Sequence, residues 1–100
     1  MPYYMLFRVS PGYSLDAPLG VHISQDNVNA LVVYSSDEEA AKASESEEGK
    51  GCYMEEVTPA DVMALAVTHG IDYIALDVFS GKKAPYRCLR AMDAEDVLKA

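Results

Sequence analysis

The chain has 100 residues, half of them hydrophobic and 24% charged, with a formal net charge of −8. That length and composition imply one globular domain over residues 1–100, large enough to bury a core without a disulfide or a metal. No run of about 18 apolar residues is present, which excludes a membrane-spanning helix, and the acidic excess argues against a nucleic-acid partner, whose phosphates it would repel.

The opening "MPYYMLFRVS" lacks the basic start and long apolar stretch of a signal peptide, so a cytoplasmic location is expected. Within it, "YYMLFRV" is aromatic and β-prone. Tyr3, Met5, Phe7 and Val9 alternate with Tyr4, Leu6 and Arg8, and neither face is clearly polar. An interior strand is expected. "SPGYSLDAPLG" is rich in Pro, Gly, Ser and Asp and reads as a loop, either a lid or a connection. "GVHIS" is a short extra strand. "NVNALVVYS", residues 27–35, is a strand buried on both faces.

"SSDEEAAKASESEEGKG" reads as a helix that Gly49 and Gly51 end. Ser36 and Glu39 have the spacing of a capping box, and the acids stand where the N-terminal dipole favours them. Its apolar residues are only Ala40, Ala41 and Ala43, so light, peripheral packing is expected. "CYMEEV", residues 52–57, is a strand.

"VTPADVMALAVTHG" carries a complete set of helix signals. Thr58 is the N-cap, Pro59 takes the first helical position, and Asp61 the third. Val62, Leu65, Ala66 and His69 form one stripe, widened by Met63 and Val67. Gly70 supplies the left-handed stop. "IDYIALDVF" is a strand, "SGKKAP" a turn, and "YRCLR" a short strand placed at an edge by Pro85. "MDAEDVLKA" closes the chain as a short helix capped by Asp93.

The order β, loop, β, α, β, α, β, β, α predicts an α/β or α+β fold. A single mixed β-sheet of four to six strands is expected, with about three helices packed against it and two right-handed βαβ units.

From Leu31 onward the layout is similar to that of a known family. "LVVYSSDEEA" is a strand leading into a capped helix, "VTPADVMALAVTHGIDYIALDV" is a helix feeding a strand through a glycine, and "DAEDVLK" is a final helix. This rhythm, over about two thirds of the chain, resembles the N-terminal domain of SseB-like proteins. Where that family often has an asparagine-proline turn, this chain has "DVFSGKK". The resemblance implies a small module linked to protein partners and carries over no catalytic residue.

Charge is unevenly spread. Residues 37–56 hold eight acids against Lys42 and Lys50, a net of −6, whereas residues 82–90 hold Lys82, Lys83, Arg87 and Arg90 without an acid. Such separation favours oriented encounters with a partner or a second copy. Tyr3, Tyr4 and Tyr13 are the candidate interface residues, since tyrosine is enriched at protein contacts.

The candidate ligand-binding residues are Asp77, Lys82, Lys83, Arg87, Arg90 and His69. Asp77 closes a strand expected to be parallel, where α/β sheets place their ligands, although an aspartate there also caps the following turn. The basic turn at 81–90 suits an anion. His69 has a structural explanation of its own, because a cation at a helix C-terminus offsets the dipole.

Asp72 and Asp77 are five residues apart and point to opposite faces, so they do not form a catalytic pair. His22, His69, Cys52 and Cys88 show none of the recognised metal spacings. The two cysteines, 36 residues apart, read as buried thiols. Arg90 shares a strand face with Cys88, the arrangement that would make that thiol reactive. No cofactor and no catalytic residue is assigned. The leading expectation is a non-enzymatic binding module acting through protein contacts. The alternative is a small-molecule or anion binder, or a small enzyme, with a site near Asp77, His69 and the 81–90 turn.

Overall fold

The computed structural model describes residues 2–9, 12, 16–24 and 27–78, together with the backbone of 87–90. Its elements in chain order are β1 (Tyr3–Arg8), β2 (Ala17–Pro18), β3 (Gly20–Ile23), β4 (Val28–Val33), α1 (Asp37–Ser44), β5 (Cys52–Val57), α2 (Pro59–His69), β6 (Tyr73–Leu76) and β7 (Arg87–Arg90). The fold is a mixed α+β one. The closing helix expected over "MDAEDVLKA" lies outside the described residues, within which there are two helices.

The strands form two sheets rather than the expected single one. The first has the order β2-β1-β5 and the second β3-β4-β6-β7. They are stitched together at two points. Tyr4 and Tyr34 exchange backbone hydrogen bonds of 2.9 and 2.8 Å, and Leu19 donates to Leu6 O at 2.8 Å while accepting from Val32 N–H at 3.1 Å. The division arises from residues 17–23, where Ala17 and Pro18 form a strand inside the expected loop and Gly20–Ile23 form the expected short extra strand. Ala17 and Pro18 pair with β1, whereas Gly20–Ile23 pair with β4. This segment lies between β1 and β4, so among the described residues β1 pairs on that side with the chain leaving β4 at the Tyr4–Tyr34 bridge, while β1 and β4 side chains still pack together in both cores.

The expected βαβ units are also corrected. After α1 the chain passes beyond β1, and β5 pairs antiparallel with β1 instead of lying beside β4. The parallel pair is β4 with β6, which are not consecutive in sequence. The interior position goes to β1, whose residues Met5, Leu6 and Phe7 are buried on both faces.

Strand alternation sends side chains to two separate cores. On one face Met5, Phe7, Leu31, Val33, Val57 and Ile74 pack with Val62 and Ala66 of α2. On the other, Leu6, Val32, Tyr34 and Ala75 pack with Ala40 and Ala43 of α1. The expected double burial of β1 and β4 is therefore present, and one helix covers each face.

Helix α2 begins and ends where its signals lie. The Thr58 hydroxyl accepts from Asp61 N–H at 3.1 Å and the Asp61 carboxylate accepts from Thr58 N–H at 2.9 Å, a complete capping box. Gly70 is left-handed at φ 64°. The buried stripe is narrower than expected: Val62 and Ala66 are buried, Met63 and Leu65 half-buried, and Val67 and His69 exposed. Helix α1 starts at the expected cap, with Ser36 Oγ accepting from Glu39 N–H at 3.2 Å. It stops at Ser44, well before the glycines.

Serines cause that early stop. Ser44 Oγ donates to Ala41 O at 2.6 Å and Ser46 Oγ to Ala43 O at 2.5 Å, drawing the last carbonyls into local bonds. The chain then folds back so tightly that a Cβ on Gly49 would stand 2.1 Å from Ala43 O. Gly49 is thus needed for a close approach, not for ending the helix.

Candidate functional site

Among the expected ligand-binding residues, Asp77 has the clearest structural role. It follows β6 in a left-handed conformation, φ 56°. Its N–H donates to Val33 O at 2.9 Å. Its carboxylate accepts from Ser35 N–H at 2.9 Å and from Ser35 Oγ at 2.8 Å. Asp77 therefore clasps the C-terminal ends of the parallel strands β4 and β6. His69 is exposed at the end of α2, before β6 begins. The two lie at opposite ends of β6 and are not brought together.

Strand β7 runs antiparallel to β6, with Arg87 opposite Leu76 and Arg90 opposite Tyr73. The arginines thus enter at the Asp77 end and the His69 end respectively; their side chains, and that of Cys88, lie outside the described residues. So do Lys82, Lys83 and Tyr13.

Tyr3 and Tyr4 are half-buried, each packed against a different core. Partial burial, then the charges of Glu56 and Asp37, raises the Tyr4 hydroxyl pKa above its usual value. His22 is exposed, its Nδ1 2.9 Å from Asn29 Oδ1. Cys52 is a half-buried free thiol. Among the described residues, no group of three or more His, Cys, Asp or Glu side chains is placed to hold a metal ion.

None of the ligand-binding or interface candidates in the sequence lies on β5. Four consecutive residues, Tyr53, Met54, Glu55 and Glu56, are exposed, and β5 ends its sheet among the described strands. The pairing geometry shows which backbone groups point outward. In an antiparallel ladder a residue turns its N–H and C=O to the same side, and its neighbours turn theirs to the other. Tyr4 turns toward Tyr34, and Leu6 toward Leu19. Tyr3, Met5 and Phe7 therefore turn toward β5, where they face Val57, Glu55 and Tyr53. Cys52, Met54 and Glu56 turn away from β1. The Cys52 N–H donates to Gly49 O at 3.1 Å. Met54 and Glu56 face no strand among the described residues.

Beside this edge a depression of about 410 Å³ lies between β5 and α2. Phe7, Val57 and Leu65 give it apolar lining and Glu55 and Asp61 acidic lining, while Glu56 borders it from the strand with its side chain on the opposite face, beside Tyr4. The capping box holds Asp61 in place, since one of its carboxylate oxygens is the acceptor for Thr58. Tyr53 closes one end of the strand. Its ring stacks on Phe7, centroids 5.8 Å apart, and its hydroxyl donates to Asp16 Oδ2 at 2.6 Å. That bond, with some burial, pushes its pKa up to about 12.

A signal for this was present. "CYMEEV" lacks the apolar face of a covered strand and carries adjacent glutamates, a charge pattern that natural edge strands use against indiscriminate pairing.

Compared with known protein families, curated proteins and solved structures, the chain shows no match.

Proposed function

We propose that this protein is a non-enzymatic module that works by contacting another protein through the side formed by β5 and α2. The observation that carries this is β5 itself, the last strand of its sheet among the described residues, with four successive exposed residues next to an apolar, acid-lined depression. Protein contacts combine an apolar centre with a charged rim, and this side offers both. The acidic face of the chain adds long-range attraction for a basic partner. The likeness to SseB-like N-terminal domains fits the same reading, as does a cytoplasmic setting in which Cys52 stays reduced.

The second reading, a small-molecule or anion site near Asp77, draws on the position of Asp77 at the ends of two parallel strands. The Ser35 clasp accounts for that residue structurally, and His69 stands at the far end of β6, so the β5 side is the better-supported candidate.

The test is site-specific photo-crosslinking in extract. A crosslinker at Thr68, which lines the depression, is compared with one at His22 on β3. A single defined adduct at position 68, absent at position 22 and lost in a Glu55→Lys/Glu56→Lys variant, is expected. Equal adducts at both positions, or none at position 68, overturn the proposal.

A further inference from the structure

Building on the protein-contact reading, we propose that β5 receives an added strand from a basic, extended segment of the partner. The outward N–H and C=O groups of Met54 and Glu56 form its ladder, and the depression beside α2 takes its apolar side chains. Three observations converge. Met54 and Glu56 are two residues apart, the repeat with which a strand presents hydrogen-bonding groups to a neighbour. An added strand lies about 4.8 Å beyond β5, so every second side chain falls on the α2 face beside the depression. The glutamates at 55 and 56 stand on opposite faces of β5, so a basic segment finds an opposite charge on both.

A second copy of this chain fits the same edge poorly. The two-fold register that uses all the outward groups of Met54 and Glu56 pairs Met54 with Glu56 of the other copy. It then sets Glu55 directly opposite itself, and like charges directly opposite are destabilising. A basic peptide meets no such conflict.

The probe is the peptide acetyl-Lys-Val-Lys-Val-Lys-amide, titrated into the full chain and followed by amide chemical shifts. Saturable binding is expected, with the largest changes at Met54 and Glu56 and a loss of affinity as salt rises. The acidic analogue with glutamate for lysine is not expected to bind.

Met54→Pro removes an outward N–H but no β1–β5 hydrogen bond, and edge positions of this kind tolerate proline. It is expected to keep the far-UV spectrum and weaken the peptide about tenfold, a loss near the upper end of what one neutral hydrogen bond contributes. A backbone N-methylated peptide gives the same readout without altering the protein.

Peptide binding unaffected by both changes overturns strand addition, as do shifts centred on β3 or equal binding of the acidic analogue. Concentration-dependent shifts at Met54 and Glu56 without peptide make a second copy the occupant, which also overturns it. If the position-68 adduct forms but no basic peptide binds, strand addition falls and the protein-contact reading stands. If neither is seen, both fall.

Discussion

Tyr4 and Tyr34 exchange both backbone hydrogen bonds, at 2.9 and 2.8 Å, and so, together with Leu19, join the two sheets. The junction fixes β1 in the interior. It also sets the alternation along β1, which decides which groups of β5 face outward. The candidate contact edge is therefore a consequence of a bridge on the far side of β1.

The Tyr34 side chain is fully buried, and its hydroxyl has no hydrogen-bond partner among the described residues. Burial first, then the charge of Asp77, raises its pKa well above the tyrosine norm. An unsatisfied buried hydroxyl costs about 1–3 kcal/mol. Tyr34→Phe is therefore expected to leave stability unchanged or raise it by about 1 kcal/mol in urea denaturation. A clear loss would show that the hydroxyl has a partner in solution.

Tyr53 sets an alkaline limit. Its pKa is raised from 10.0 to about 12 in the fold, so the folded state holds the proton more tightly than the unfolded one. Its contribution is complete below pH 10 and is lost as pH rises through 12. Stability should fall across that window, and less steeply in Tyr53→Phe, in unfolding series from pH 9 to 12. Equal slopes in the two proteins would remove the Asp16 bond from the explanation.

The box at the start of α2 is reciprocal. Thr58→Ala and Asp61→Ala should each cost about 1 kcal/mol, or about 4–8 °C in Tm for a domain of this size. Because each supports the other, the double variant should lose less than the two losses added together. Thermal melts of the three variants check this, and strict additivity would contradict a coupled box.

Gly49 is a steric requirement. A methyl group there meets backbone, Ala43 O at 2.1 Å and Ser44 Cα at 2.9 Å, and neither can yield like a side chain. Gly49→Ala is expected to destabilise by roughly 2 kcal/mol or more, as strained packing substitutions do. Gly20→Ala, whose Cβ would stand 3.3 Å from Ala30 O, serves as the milder comparison in the same denaturation series.

Local chemistry was legible in the sequence. Thr58, Pro59, Asp61 and Gly70 announce α2, and the doubly apolar runs of β1 and β4 announce two covered faces. Even Asp77 was placed at the end of a parallel strand. Pairing was not legible, because nothing local in β5 says that its partner is β1 or that β1 separates it from β4. The end of α1 was hidden for a different reason: Ser44 and Ser46 bond back to carbonyls, an outcome that composition does not distinguish from helix. The side chains that stand out in the sequence as carriers of chemistry or contact are Asp77, His69, the lysines and arginines of 82–90 and the tyrosines at 3, 4 and 13. The candidate site was instead built from backbone groups, which every sequence contains and only topology exposes.

Residue-resolved hydrogen exchange in the free protein tests the central claim most directly. If β5 is an open edge, the amides of Tyr53, Glu55 and Val57 exchange slowly behind β1, while those of Met54 and Glu56 exchange far faster. Equal protection along the whole strand would mean that the edge is covered, and the contact surface proposed for this protein would have to be sought elsewhere.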